Sequence, residues 1–394
     1  MSWPLVKLDS VVEVLSGFAF KSSCFNKTSQ GVPIIRIQNV AENNSEEDFV
    51  YWDESYKEKF LIDDGDILLS LSGNIKLGIW GNGKALLNQR IIKISEKEGL
   101  DKGYLFYFLM SAVKSIAALG KEAVISNVSV NDFKALQIPL PPLETQKQIA
   151  TVLEKADQLR KDCQQMEQEL NSLAQSVFID MFGSKAPGYS EWPLHHIEEL
   201  AESKKGSMRT GPFGSDLKHS EFVDEGVAVI GIDNAVKNEF AWGERRFITP
   251  EKYEKLKRYR VYPQDLIITI MGTTGRIAVI PNDIPLSIST KHLAVITLDK
   301  EKVLPEFLAI AIKTHPDLLH QILDSNKGAI MDGLNLGLIK ALSLKLPPLD
   351  LQSEYLAVLK VIQEQVFESR SSLKQHNDLF NALMQKAFKG ELNL

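Results

Sequence analysis

One stretch of this chain is written twice. PLPPLETQKQIATVLEK occupies residues 139–155, and KLPPLDLQSEYLAVLKV occupies residues 345–361, 206 positions later. The doubling extends to the whole chain. WPLVKL (3–8) matches WPLHHI (192–197), GVPIIRIQNV (31–40) matches GVAVIGIDNA (226–235), and DGDILLSLSG (64–73) matches PQDLIITIMG (263–272). KEAVISNVSVNDFKALQIPLPPL (121–143) matches KGAIMDGLNLGLIKALSLKLPPL (327–349) without a gap. A chain repeated over its full length must fold as two copies of one scaffold. The offset between copies grows from 189 to 195, 199 and 206, so the second copy carries small insertions. Insertions that accumulate between matched strands belong in surface loops, so the copies share a framework and differ in what they display.

Each copy reads as mixed α/β. VPIIRI, GDILLSL and RIIKI, bounded by Gly, Asp and Asn, have the β-branched composition of strands. KGYLFYFLMSAVKSIAAL (102–119) and LPEFLAIAIKTHPDLLHQIL (304–323) read as helices. The proline pair then closes each copy and opens a different kind of element.

From Glu144 to Phe182 there is no Gly or Pro, and the prolines just before suit a helix entrance. Ile149, Ala156, Cys163, Leu170 and Val177 recur every seven residues, with Val152, Leu159, Met166 and Leu173 between them. In the second copy the seam runs Leu359, Val366, Leu373, Phe380 and Ala387, with Ile362 and Leu383 as partners and Ser369 and His376 as interruptions. Heptads sustained this long predict a coiled coil, and the simplest partner for each helix is the other. The order is unit, helix, unit, helix. The predicted domains are 1–143, a spacer helix 144–183, a second unit 184–349 and a second helix 350–394. Antiparallel pairing of the helices would relate the units by a pseudo-twofold axis. A helix of about 39 residues spans about 58 Å.

Composition bounds the rest. The chain has 394 residues, 44% of them hydrophobic and 24% charged, enough for two or three domains with real cores. No apolar run approaches the roughly 18–20 residues that cross a bilayer, and the N-terminus has no secretory pattern. Two cysteines allow neither a disulfide framework nor a Cys-based zinc cluster. A cytoplasmic protein without a membrane partner is expected. The net charge of −6 weighs mildly against a nucleic-acid ligand. Residues 1–143 carry 15 basic and 17 acidic side chains, and 184–349 carry 21 of each, so any phosphate-binding surface must be local.

With these features in place, the chain resembles the DNA-specificity subunit of type I restriction–modification systems. LPPLETQKQIATVLEKADQL, LPPLDLQSEYLAVL, TGPFGSDLK (210–218) and the paired GDILLSLSG and QDLIITIMG strands carry the resemblance, which covers essentially the whole length. It implies two target-recognition domains, each reading half of a split DNA sequence. The paired helices would act as a spacer and dock two adenine-N6 methyltransferase subunits, which a motor-nuclease subunit joins. The chain would then be non-catalytic and hold no cofactor, with S-adenosylmethionine, ATP and Mg expected on the partners.

Candidate DNA contacts lie on loops. The densest basic cluster, ERRFITPEKYEKLKRYRVY (244–262), offers Arg245, Arg246, Lys257, Arg258 and Arg260 among aromatic residues; the bland alternative is a solvated helix. The first copy has the acidic AENNSEEDFVYWDESYKEKF (41–60) at the matching place. The glycine-rich loop 208–218 offers Arg209, Ser215 and Lys218, and its counterpart SGFAFKSS offers Lys21 and Ser22. Asn74 and Lys76 follow one strand, and Thr274 and Arg276 follow its copy. Gln38 and Asn39, Asp233 and Asn234, Gln89 and Arg90, and Lys291 and His292 are polar pairs at strand ends. Arg suits guanine edges, and Asn or Gln suits adenine.

Catalytic readings fare worse. GNGK (81–84) lacks the phosphate-loop spacing, and no Asn-Pro-Pro-aromatic stretch of adenine methyltransferases is present. His195 and His196 have no further ligands beside them, and no metal site is expected. The alternative to a DNA-reading subunit is a non-enzymatic protein–protein scaffold, supported by the negative charge.

Overall fold

The computed structural model describes residues 3–40, 49–118, 128–235, 238–325 and 334–392. Part of the acidic stretch (41–48) and the starts of the matched segments that follow Lys121 and Lys327 lie outside the described residues. The chain divides into two compact units, Met1–Gln165 with Arg370–Leu394, and Met166–Ser369.

The strands of unit 1 are β1 (Leu5–Lys7), β2 (Val12–Ser16), β3 (Val32–Ile35), β4 (Val50–Trp52), β5 (Leu61–Ile62), β6 (Ile67–Ser70), β7 (Leu77–Ile79), β8 (Ala85–Leu87), β9 (Ile91–Glu96) and β10 (Gln137–Pro139). Its helices are α1 (Leu8–Val11), α2 (Lys102–Ala118), α3 (Val130–Ala135) and the first part of α4 (Leu143–Phe182). They form an antiparallel sheet in the order β2-β9-β6-β7, a mixed sheet β4-β3-β8-β5 in which β3 and β8 run parallel, and the pair β1-β10.

Unit 2 repeats this plan. Its strands are β11 (Leu194–His196), β12 (Met208–Thr210), β13 (Val227–Ile230), β14 (Phe247–Ile248), β15 (Arg260–Val261), β16 (Leu266–Thr269), β17 (Ile277–Val279), β18 (Ser287–Ser289), β19 (Leu293–Ile296) and β20 (Ser343–Lys345). Its helices are α5 (Pro250–Leu256), α6 (Pro305–Thr314), α7 (Pro316–Ser325), α8 (Leu336–Ala341) and the first part of α9 (Leu349–Lys389). The sheets are β12-β19-β16-β17, β14-β13-β18-β15 with β13 parallel to β18, and β11-β20. Pro316 divides the helical run 304–323 into α6 and α7, because proline cannot donate the bond that would continue the helix.

The apolar strand runs follow from burial on both faces. On β6, Ile67 and Leu69 join the core under α2, while Leu68 points to the mixed sheet beside Leu87 and Trp80. On β16, Leu266 and Ile268 face the core with Phe307 and Leu308, and Ile267 faces the other side. Alternation sends successive side chains to opposite layers, and here both layers are apolar.

The repeated proline-glutamine segment has a specific task. Gln146 is fully buried; its Oε1 accepts from Asp101 N at 2.8 Å, and its Nε2 donates to Gly99 O at 3.0 Å and Pro141 O at 2.8 Å. Gln352 is equally buried; its Oε1 accepts from Leu304 N at 2.9 Å, and its Nε2 donates to Lys302 O at 3.3 Å and Pro347 O at 2.9 Å. Each glutamine bolts the start of a long helix to the loop that enters the helix packed against it. Gly103 permits that packing in unit 1, since a Cβ there would lie 3.1 Å from the Ala150 Cβ.

The long helices also meet inside each unit. In unit 1, Arg160 of α4 donates to Asn377 Oδ1 at 2.7 Å and lies 4.4 Å over the Phe380 ring. In unit 2, Phe178 and Phe182 pack edge-on against Tyr355, with centroids 5.3 and 5.4 Å apart. Of the seam positions, Ile149, Ala156, Val366 and Phe380 are buried, and Cys163, Leu170, Val177, Leu359 and Leu373 are half-buried. The positions placed between them depart from expectation: Leu159, Met166 and Leu173 are 45%, 51% and 48% exposed. The buried stripe at the start of α4 runs Ile149, Leu153, Ala156 because these turns pack on their own domain. A face that packs on a globular core is set by the 3.6-residue period, from which a strict heptad drifts about 20° per repeat.

Candidate nucleic-acid interface

In each unit several polar loops gather at the carboxyl ends of the parallel strand pair, the edge where such sheets bind ligands. Their framework is the same twice. After β3, Asn39 is buried, and its Oδ1 accepts from Arg36 N at 3.0 Å. After β13, Asn234 is buried; its Oδ1 accepts from Gly231 N at 2.9 Å, and its Nδ2 donates to Ala241 O at 2.9 Å. These asparagines shape the turn. Beside them, Gly17 and Gly211 let the incoming chain cross the end of β8 or β18: a Cβ at Gly17 would sit 2.0 Å from Asn88 O, and one at Gly211 2.3 Å from the Thr290 carbonyl carbon. No other residue fits there.

On that framework unit 1 displays Lys21, Ser22, Gln38, Asn74 and Arg90 at its surface, with Lys76 half-buried. Lys76 Nζ donates to Gln38 O at 3.3 Å, which joins the loop after β6 to the turn after β3. Arg90 has a left-handed backbone (φ 66) and its carbonyl accepts from Leu71 N, so it stands at the same junction.

Unit 2 presents a different set. Arg246 is paired with Asp233 through Nη2 and Oδ1, each about one-third exposed. Arg246 borders a cavity of about 270 Å³ with Gly231, Thr290, Lys291 and His292. Burial, with Lys291 and Arg246 nearby, holds the His292 imidazole below its ordinary pKa of 6.5, so it is neutral at pH 7. Arg276 is exposed and Thr274 half-buried on the loop after β16, where Thr269 Oγ1 donates to Thr273 O at 2.6 Å and accepts from Arg276 N at 2.8 Å. Lys218 is exposed; Ser215 lies in the turn Gly214–Asp216, and its side chain lies outside what is described.

The long basic cluster does not act as one surface. Arg245, stacked 4.8 Å from Trp242, adjoins Arg246 in sequence near the strand-end cavity. Lys257 and Arg258 line a separate groove of about 570 Å³ with Lys204, Lys205 and Tyr262. There Lys257 pairs with Glu254 at 3.4 Å, Arg258 with Asp216 at 3.6 Å, and the Arg260 guanidinium lies 4.9 Å over Tyr262. Lys204 and Lys205 fall where the second copy is longer, between its Trp-Pro motif and its glycine loop, and sequence reasoning misses them because no matched segment covers them.

Three expected contacts turn inward. Arg209 is only 9% exposed; it pairs with buried Asp265 at 2.7 Å and donates to Gly206 O, Thr297 Oγ1 and Arg260 O. It fastens strands together at the wall of the groove that Lys204, Lys205, Lys257 and Arg258 line, with its guanidinium committed to these internal bonds. Asn39 and Asn234 are consumed by their turns, which leaves Gln38 and Asp233 as the displayed members of those pairs. Among the described residues no group of three or more His, Cys, Asp or Glu is placed to hold a metal ion, and no helix is long and apolar enough to cross a membrane.

The geometry defines a duplicated protein, with one scaffold and two loop clusters of unlike chemistry. Residues 2–172 and 189–375 match the family model described as Type I restriction modification DNA specificity domain. The chain belongs to that family. It is 27% identical over 418 aligned residues to the Type I restriction enzyme EcoBI specificity subunit of Escherichia coli, covering 99% of this chain and 86% of that one. It is also 25% identical to the MjaVIII specificity subunit of Methanocaldococcus jannaschii over 64% of this chain and 61% of that one. The fold is similar to that of the type I restriction–modification S subunit from M. genitalium, with TM-score 0.56, 16% identity and coverage of 98% and 96%.

Proposed function

We propose that this chain is the non-catalytic, sequence-reading subunit of a type I restriction–modification complex, each unit reading one half of a bipartite DNA target. The observation that carries this reading is the pair of loop clusters. An identical scaffold holds Gln38, Asn74, Lys76 and Arg90 in one unit and Asp233, Arg246, Lys291 and Arg276 in the other. Two unlike sets of donors and acceptors suit two unlike half-sites.

The long helices set the unspecified spacer and pair antiparallel along their heptad seams. Contacts of Arg160 with Asn377 and of Phe178 with Tyr355 support the pairing. Two adenine-N6 methyltransferase subunits dock on the helices, and the motor-nuclease joins through them, with S-adenosylmethionine, ATP and Mg on those partners. Exposed apolar side chains favour docking: Leu159 in unit 1, and Met166, Leu173, Val361 and Phe367 in unit 2. A map of N6-methyladenine in cells expressing the methyltransferase, with and without this chain, tests the reading. A chain-dependent two-part motif is expected. A bound, folded methyltransferase that methylates no such motif would favour a scaffold instead.

A further inference from the structure

We propose that Arg246, held by Asp233, is the side chain through which unit 2 reads a guanine of its half-site. The inference rests on the DNA-reading function proposed above.

Four observations carry it. The guanidinium is oriented: Nη2 is bound to Asp233 Oδ1, while Nε is buried with no hydrogen-bond partner among the described residues. Space has been cleared for the pair. A Cβ at Gly231 would lie 2.7 Å from Asp233 Oδ1 and 2.8 Å from Arg246 Nη2, and one at Gly243 would lie 2.8 Å from Asp233 Oδ2. Arg246 borders the 270 Å³ cavity together with Thr290, whose Oγ1 also lacks a partner among the described residues. Finally, the aligned position in unit 1 is Arg36 in place of Gly231, with Gln38 in place of Asp233. Unit 1 therefore starts an arginine side chain at the spot that the Arg246 head group fills in unit 2.

The carboxylate decides between ligands. A guanidinium meant for phosphate gains nothing from an adjacent anion, which would repel the phosphate. One meant for a neutral base edge gains orientation, and arginine donates in a fork to guanine O6 and N7.

The test is N6-methyladenine motif mapping with the assembled complex carrying wild type, Arg246→Gln, Arg246→Lys and Asp233→Asn, alongside thermal unfolding of each. One guanine position should relax about tenfold or more in the Gln variant and by less in the Asn variant, with the other half-site unchanged. Lysine keeps the charge but not the fork, so it should restore affinity without full discrimination. If the Gln variant does not assemble, the Lys variant alone decides, since a motif as strict as wild type would overturn the proposal. So would a Gln variant that weakens binding evenly with its motif intact, which marks a phosphate anchor, or a wild-type target with guanine in neither half. A wild-type complex with no chain-dependent motif would instead remove the underlying function.

Discussion

Gln146 and Gln352, 206 residues apart, make the same three hydrogen bonds in their two units: one accepted from a backbone N–H, and one donated each to a loop carbonyl and a proline carbonyl. A neutral amide both accepts and donates twice, so it can tie a helix start to a loop without a buried charge. The duplicated segment is a structural fastener. In the function proposed above, DNA reading falls to the loops at the carboxyl ends of the parallel strand pairs.

Gln146→Ala should therefore destabilise by several kcal/mol, because each buried backbone group left unsatisfied costs about 1–3 kcal/mol. Hydrogen exchange should accelerate at 99–105 and 141–150. Gln352→Ala should do the same at 302–308 and 347–356. Unchanged exchange in both would show that water replaces the amide at no cost.

Gly211→Ala should abolish recognition by unit 2 while the strands under it stay folded, since the added methyl would collide with the Thr290 backbone. Gly17→Ala should do so for unit 1. Methylation mapping should show each variant losing one half-site, and a variant losing both would contradict independent reading.

Arg209→Ala should cost about 3–5 kcal/mol by stranding buried Asp265. The salt dependence of DNA binding by the assembled complex should not change. A reduced salt slope would restore Arg209 as a phosphate ligand.

Lys204→Ala with Lys205→Ala should have the opposite signature. Binding of the complex should weaken evenly across sequences, and the slope of log K against log salt should fall by about 0.9 for each phosphate that is no longer neutralised. An unaltered slope would take the unit 2 groove off the DNA.

His315 gives unit 2 an acid-sensitive joint. It is buried, its Nε2 donates to Phe182 O at 3.0 Å, and its Nδ1 accepts from Asp317 N at 3.2 Å, so the fold holds the neutral ring. Burial lowers its pKa below 6.5, with Asp317 partly opposing. As pH falls through 6.5 the unfolded chain takes up a proton that the native ring refuses, and stability declines until the native pKa is passed. His315→Gln should flatten the pH dependence of unfolding below 6.5, and an unchanged profile would reject the assignment.

Sequence alone determined the duplication, the strand runs, the two proline-closed helix entrances and the buried seam positions Ile149, Ala156, Val366 and Phe380 of the long helices. These features are local, because a repeat, a period or a missing proline is visible without knowing any neighbour. Tertiary structure decided which polar side chains remain available. Strands of three or four residues, such as β12, are too short for alternation to show that Arg209 points inward. Asn39 and Asn234 look like exposed strand-end polars until the turn consumes their hydrogen bonds. The pairing of Arg246 with Asp233 joins residues 13 apart across a turn that only Gly231 and Gly243 leave open. Likewise Leu159, Met166 and Leu173 match the heptad and yet are 45%, 51% and 48% exposed. A pattern reports which residues share a face, and only the fold supplies what that face meets.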